Sequence, residues 1–501
     1  MMTCRDASSR ESLNSLLAGE TVQFCERQAF VNLGAPLHFI GISGIGMSAL
    51  ARLLRARGFS VSGCSDVRTE LTDRLEEEGI PILFGHSADH LRDGVTLVVS
   101  SAIDTHTSEL SEAERRGIPV IRRGSLLAAL LSGADGAQEI RSLAVAGTHG
   151  KTTTTAMLGT ILDEAGEEPT VVLGGEFVGG LCAGSNTRNG TGTWFVAESD
   201  ESDGSFLELR PSVAVVTNVE NDHVTSDEEL TSLMTAFERF LAGVGEVAII
   251  GVDEPRSLTL AELPRAARTV TFGFAAQADV RATSVFYRGF GSTFDVVAHG
   301  APMGTVSLSV PGAINIQNSL GAVAAGLEIG LPFAGIAQAL SRFQGVRRRF
   351  EILAQGERFT VVDDYAHHPT AVEATLAAAR AAWDGPIVVA FQPHRYSRTR
   401  YLAREFALAL RGADRVILTP IYEASEAPLP GVDATLIGEP LRGFGTEVAY
   451  VDSVERLVDE IRGSAPRGSL VLLLGAGTIT SAAHRLAQHA QELPLQARAE
   501  R

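Results

Sequence analysis

The run Gly147-Thr148-His149-Gly150-Lys151-Thr152-Thr153 carries the residue types that hold a nucleoside triphosphate. Glycines let a turn press backbone N–H groups against phosphate oxygens. An ammonium adds a point charge, and a hydroxyl beside it can bind Mg²⁺. The strict spacing G-x-x-x-x-G-K-[ST] is not met, because Val145 stands where its first glycine belongs; Gly147 supplies the flexibility two residues later. Composition adds a second argument. The chain holds 42 Lys and Arg together, and Lys151 is its sole lysine. A chain that uses arginine wherever either base serves has kept one compact ammonium here, where a planar guanidinium is a different object.

Further along, Thr193–Ala197 reads as a strand that delivers Glu198-Ser199-Asp200-Glu201-Ser202-Asp203 at its end. Four carboxylates in six residues repel one another unless cations are near. A strand-end carboxylate beside a phosphate cradle is a natural Mg²⁺ ligand, which singles out Glu198 alongside Thr152. A solvated acidic loop is the plainer alternative. Val213–Asn218 reads as the next strand and ends in Val219-Glu220-Asn221-Asp222-His223, so the same logic puts His223 near the phosphates. A lone histidine is more often structural; as a ligand it would admit Mn²⁺ as well as Mg²⁺. Asn315 and Asn318 lie three apart, on one face of a helix. Their amides suit a base edge such as adenine, or N-capping.

Two more groups stand at strand ends. One is Gly41-Ile42-Ser43-Gly44-Ile45-Gly46, with Asp66 20 residues later, together with Ser100-Ser101 after an apolar run. That layout fits the diphosphate of a dinucleotide or of another nucleotide such as a UDP-sugar, or a tight turn with no ligand. The other joins Tyr365-Ala366-His367-His368-Pro369 to His394-Arg395-Tyr396-Ser397-Arg398. Its histidines, tyrosines and arginines suit a carboxylate-bearing substrate. Arg347-Arg348-Arg349 fits either a phosphate contact or a solvated face.

Positioning these groups takes more than one core. A chain of 501 residues exceeds a single domain. Residues 36–135 read as strand, glycine turn, helix and a second strand at Phe59–Gly63, a Rossmann-like βαβ unit. A Gly/Ala/Asp linker near 133–138 closes it. Residues 136–343 form a central P-loop-like α/β domain, with short β-like segments over 245–310 and a helix over Ser319–Ile329. Residues 344–501 form a third, Rossmann-like α/β domain with strands near 359, 386, 416 and 470 and a helix over Ala371–Ala382. Residues 1–35 show no clear period and look like an extension. The net charge of −18 argues against nonspecific binding to nucleic acid or to an anionic membrane. The four cysteines (Cys4, Cys25, Cys64, Cys182) are scattered without a C-x-x-C pair, so neither a disulfide framework nor a zinc site is expected. With no long apolar run and no signal-peptide pattern, a cytoplasmic protein is expected.

Taken in order, His38–Met47, Gly147–Thr153, Glu198–Leu207, Thr217–His223, Pro311–Asn318, Asp363–Thr370 and Phe391–Arg398 resemble the Mur ligase family, and most closely its alanine-adding branch. The resemblance spans about residues 37–480. It implies UDP-binding, ATP-binding and amino-acid-binding domains. It implies an ATP-dependent ligase that joins L-alanine to the lactyl carboxylate of UDP-N-acetylmuramate through an acyl phosphate. The implied cofactor is Mg²⁺, two ions, with ATP as co-substrate. Carried over to this chain, Gly147–Thr153 would hold the phosphates, Thr152 and Glu198 one metal, and His223 a second. Asn315 and Asn318 would lie at the adenine. Gly41, Gly44, Gly46, Asp66, Ser100 and Ser101 would hold the UDP-sugar. Tyr365, His367, Arg395 and Arg398 would hold alanine and the muramyl end. Lys151, Glu198, His223, His367 and Arg395 would be the catalytic set. The chain departs from the family pattern at Ser43, Thr107-Ser108, Thr225-Ser226, Ile314 and Thr478. A family branch that recycles murein tripeptide onto the same sugar nucleotide, a nicotinamide-dependent oxidoreductase resting on Gly41–Asp66, and a nucleotide-gated binding protein that no longer ligates are the alternatives.

Overall fold

The computed structural model describes residues 35–101, 103, 107–136, 140–201, 204–220, 227–424 and 426–490. Most of the expected N-terminal extension, and His223, lie outside the described residues. The chain divides into two compact units, residues 1–137 and 138–501.

The first unit holds a five-stranded sheet in the order β3-β2-β1-β4-β5, parallel throughout. Its strands are β1 (Leu37–Ile40), β2 (Val61–Ser65), β3 (Ile82–Phe84), β4 (Thr96–Val99) and β5 (Val120–Arg122). The helices are α1 (Ile45–Ala56), α2 (Glu70–Glu77), α3 (Ser108–Arg116) and α4 (Arg123–Leu131). β1 and β4 are buried along their whole length, as expected for parallel strands covered on both faces. The strand order reverses between β1 and β4, and the crevice outside their carboxyl ends is where such sheets take ligands. β2 begins two residues later than the apolar pattern suggests. Gly58 adopts φ +88°, and the Phe59 N–H turns back to Leu54 O at 3.0 Å, so Phe59 closes the helix instead of opening the strand.

The second unit carries two sheets. The larger runs β15-β14-β13-β12-β11-β10-β6-β9-β7-β8. Its parallel centre contains β6 (Arg141–Ala146), β9 (Trp194–Glu198), β10 (Val213–Val216), β11 (Val247–Gly251) and β12 (Arg268–Gly273). β7 (Thr170–Val172) and β8 (Thr187–Arg188) close one edge. The meander β13 (Val280–Arg288), β14 (Gly291–Ala298) and β15 (Ala301–Leu308) closes the other. Helices α5 (Lys151–Glu164), α6 (Asp227–Ala242), α7 (Pro255–Glu262), α8 (Ala313–Glu328) and α9 (Phe333–Arg342) accompany it. One core takes in Leu143 and Val145 of β6, Met157 and Ile161 of α5, and Ile316 and Leu320 of α8. Two sequence expectations needed correction. The stretch 245–310 contains a helix, α7, started by Pro255 in its first turn, where proline's missing N–H costs nothing. α8 starts at Ala313, well before Ser319, because the Asn315 side chain bonds Pro311 O at 2.7 Å and ties down the first turn.

The third sheet runs β16-β17-β21-β18-β19-β20. Its strands are β16 (Glu351–Gln355), β17 (Phe359–Asp364), β18 (Ile387–Phe391), β19 (Arg415–Leu418), β20 (Glu447–Tyr450) and β21 (Ser469–Leu474). Only the β16–β17 pair is antiparallel. Helices α10 (Pro369–Ala382), α11 (Tyr396–Leu410), α12 (Thr435–Gly443), α13 (Val454–Ser464) and α14 (Ile479–Ala487) complete it. Two apolar clusters lie on its faces, one around Phe391 and Phe406 and one around Leu457 and Ile479. Among the described residues no helix is long and apolar enough to cross a membrane.

Candidate active site

β6 lies between β9 and β10, so three neighbouring strands end side by side. The turn from β6 into α5 is the one the sequence marks as a phosphate cradle. Gly147 and Gly150 sit at φ +129° and +83°, where only glycine is unstrained. Space forbids a side chain as well. A Cβ on Gly147 would lie 2.2 Å from Thr217 Oγ1, and one on Gly150 would lie 2.1 Å from Asn318 Oδ1. The end of β10 braces the turn from the other side. Thr148 N–H donates to Asn218 O at 3.0 Å, and His149 N–H to Asn218 Oδ1 at 2.9 Å. Thr217 Oγ1 donates to His149 O at 2.6 Å. Thr217 and Asn218 were read from sequence only as a strand end; contacts across some seventy residues of chain are not written in local spacing. Asn315 and Asn318 are buried on α8; their amides bond Pro311 O and Asn315 Oδ1, and Asn318 packs on the cradle.

Lys151 folds back over this turn. Its Nζ donates to Gly147 O at 2.5 Å, to Thr148 O at 3.2 Å and to Glu201 Oε2 at 2.7 Å. Burial works against the ammonium, but Glu201, Asp200 and Glu198 outweigh it and hold its pKa above the ordinary lysine value. Burial pushes the Glu201 carboxyl up to about 7 against the pull of Lys151. Thr152 and Thr153 are buried in the first turn of α5. Thr152 Oγ1 donates to Glu198 Oε1 at 3.1 Å, and Glu198 Oε2 accepts the Gly174 N–H at 2.7 Å. A hydroxyl and a carboxylate oxygen therefore stand together beside the cradle, the hard oxygen pair that suits Mg²⁺.

The His367-His368 turn after β17 reaches the same place. The His149 and His368 ring centroids are 6.1 Å apart, which puts the cradle against the third sheet. His367 Nδ1 bonds Tyr365 O at 2.8 Å, and its ring lies 4.9 Å from that of Tyr365 and 5.4 Å from that of His394. Arg348 and Arg349 stand over the Tyr365 ring at 4.9 and 5.1 Å. The arginine triplet is thus no plain solvated face. Buried Asp364, whose carboxyl burial pushes up to about 6, accepts the Phe350 and Ala366 N–H groups at 2.7 Å and fixes the turn. Arg395 caps α11 at φ +69°, a conformation costly for any residue that carries a Cβ, and Arg398 follows one turn on. The Arg395 N–H donates to Tyr422 O at 2.8 Å, and Tyr422 lines a cavity of about 510 Å³ together with Gln392, Glu423, Asp452, Glu455 and Thr478 among others.

In the first unit, Gly41 adopts φ +71°, and a Cβ there would lie 2.8 Å from Ile103 Cδ1. Gly44 caps α1, and Gly46 follows in its first turn. Ser43 Oγ accepts from Ser65 Oγ at 2.9 Å. Ser100 and Ser101 follow β4, across the β1/β4 crevice from that turn. Asp66 is largely exposed just past β2, 3.3 Å from His86 Nε2.

Three family domains match in this order: the Mur ligase family catalytic domain over residues 36–134, the Mur ligase middle domain over 145–326, and the Mur ligase glutamate ligase domain over 348–477. The chain belongs to the Mur ligase family. It is 43% identical over 461 residues to the UDP-N-acetylmuramate–L-alanine ligase of Syntrophotalea carbinolica, covering 91% of this chain and 98% of that protein. It is 44% identical to the ligase of the same name from Solibacter usitatus, covering 90% and 94%. Among solved structures, the UDP-N-acetylmuramate–alanine ligase MurC of Thermotoga maritima superimposes with a TM-score of 0.79 at 29% identity, covering 93% of this chain and all of that one. A murein peptide ligase from Psychrobacter arcticus shares the fold, with a TM-score of 0.68 at 23% identity over 92% of this chain and 99% of that one.

Proposed function

We propose that this protein is an ATP-dependent UDP-N-acetylmuramate–L-alanine ligase of peptidoglycan precursor synthesis. One observation carries the reading: the cradle of β6, the Thr152–Glu198 oxygen pair and the His367-His368 turn converge within one unit. Relatives of that name at 43% and 44% identity support it. The reaction has two steps. A lactyl carboxylate oxygen attacks the γ-phosphorus of ATP; the bond to the β,γ-bridging oxygen breaks and ADP leaves. The alanine amine then attacks the acyl carbon of the acyl phosphate, loses a proton, and expels phosphate. The first step makes a good leaving group of an oxide that would otherwise be a poor one.

The chain's own groups divide this work. Backbone N–H groups of Gly147–Gly150 and the N-terminus of α5 hold phosphate oxygens. Lys151 leaves Glu201 for the β- and γ-phosphates. Thr152 and Glu198 would hold Mg²⁺, which when bound neutralises charge on the transferring group. His223, outside the described residues, is the proposed ligand of a second ion. Tyr365, His367, Arg395 and Arg398 orient alanine and the muramyl end, with the arginines on the alanine carboxylate. Asn315 and Asn318 stay assigned to the adenine end, and Gly41, Gly44, Gly46, Asp66, Ser100 and Ser101 to the UDP moiety. An enzyme that draws on ATP and a sugar nucleotide fits the cytoplasm.

The test is phosphate release by the purified protein with ATP, Mg²⁺ and UDP-N-acetylmuramate. L-Alanine, glycine, L-serine and a murein tripeptide are compared as acceptors. Release with L-alanine is expected. Silence with every acceptor would remove the ligase reading, and preference for the tripeptide would turn it to the recycling branch.

A further inference from the structure

Five side chains from five segments of the first unit form two overlapping triplets that share Cys64. His38 comes from β1, Cys64 from β2, His86 from the loop after β3, His90 from the short turn 88–90, and Glu109 from the first turn of α3. His38, Cys64 and Glu109 are buried to within about one per cent. One ligand atom each from His38, Cys64 and His90 lie within 4.8 Å of one another, and so do those of Cys64, His86 and Glu109. The sheet face that holds them is otherwise apolar: Ile40, Leu91, Leu97, Val99 and Ala113 surround it.

Hydrogen bonding alone does not satisfy this cluster. Glu109 Oε1 faces four polar neighbours at once: Ser87 N, His86 Nδ1 and His90 Nδ1, each at 3.1 Å, and Cys64 Sγ at 3.6 Å. One carboxylate oxygen has about two lone-pair directions to offer them. His38 Nδ1 is spent on Ser62 Oγ at 2.9 Å, and its Nε2 is buried with no hydrogen-bond partner among the described residues. An orphaned, buried imidazole nitrogen is costly in an apolar setting. Cysteine, histidine and one carboxylate are the donor set of a borderline-soft divalent ion.

We propose that His38 Nε2, Cys64 Sγ, His90 and Glu109 bind a zinc-class cation inside the first unit, with His86 linking that centre to Asp66. The ligands close from their present spacing to the roughly 3.5 Å edges of a tetrahedral site. Binding exchanges one proton: the Cys64 S–H bond breaks, a sulfur–metal bond forms, and H⁺ leaves to solvent. The ligands come from separate elements, which is why no short cysteine or histidine spacing betrays them. The site borders the turn proposed for the UDP moiety, through Gly41 beside Cys64 and Asp66 beside His86, but its metal content is read without reference to the ligase activity.

The experiment uses the full chain. It is stripped with chelator, loaded with Zn²⁺ or Co²⁺ under excess Mg²⁺, desalted and assayed for metal. One equivalent of zinc per chain is expected, and the cobalt form should show a thiolate-to-metal charge-transfer band with tetrahedral d–d absorption. Cys64→Ser should abolish the band, His90→Asn should weaken binding at least roughly tenfold, and the triple change Cys4→Ser, Cys25→Ser, Cys182→Ser should leave the band intact. Far less than one equivalent in the wild type, or a band that survives Cys64→Ser, overturns the proposal. If Cys64→Ser does not fold, the triple variant decides, because loss of the band there assigns the thiolate elsewhere.

Discussion

In the proposed function, Lys151 works by size as well as by charge. It is the only lysine of the chain and fits between two turn carbonyls and Glu201 with its side chain 13% exposed. A guanidinium cannot enter that space in the same geometry. Lys151→Arg is therefore expected to lower kcat/KM by roughly 100-fold or more in the phosphate-release assay; near-normal turnover would refute the point-charge argument. Its partner gives a pH test. In the proposed function, Glu201 competes with incoming phosphates for the same ammonium while it is ionised. With its carboxyl pushed up to about 7, that competition is present above pH 7 and fades below it. Glu201→Gln should then lower the KM for ATP several-fold, on the order of 1 kcal/mol, at pH 8, and the gap from wild type should shrink as the pH falls below 7. A gap that widens toward acid would show that Glu201 binds nucleotide and does not hold off its site.

At the scale of elements, the β6–α5 turn depends on two glycines that meet the ends of other elements. Gly150→Ala adds left-handed strain and drives a methyl into Asn318 of α8. A loss of roughly 1–3 kcal/mol of stability and a raised KM for ATP are expected from denaturant titration and steady-state kinetics; an unchanged KM would mean that Asn318 has room to withdraw. This turn was legible in the sequence because glycine, lysine and threonine are adjacent, and β6, β18 and β21 were legible because doubly covered parallel strands are unbroken apolar runs. Other features were hidden for physical reasons. α7 is short and lies among β-like segments, and the start of α8 is masked by amide side chains of low helix propensity. Arg348 and Arg349 acquire their aromatic partner only when the chain from 347 folds onto the end of β17. The His38–Glu109 cluster gathers five distant segments, so no local period announces it.

At the scale of the whole molecule, the chain divides into two compact units after residue 137. Two units with separate proposed ligands should unfold in two calorimetric transitions. A non-hydrolysable ATP analogue with Mg²⁺ should raise the transition of the unit bearing Lys151, and UDP should raise the other, each by several degrees at saturating ligand. Equal shifts of both transitions by either ligand would show one cooperative block. The lone lysine has a further consequence. A lysine-specific endoproteinase finds a single cleavable bond in 501 residues, Lys151–Thr152, at the start of α5. That bond is cut only when the cradle opens and the side chain leaves Glu201. The appearance of fragments 1–151 and 152–501 is therefore a single-hit clock for local opening of the nucleotide site, and bound nucleotide should slow it.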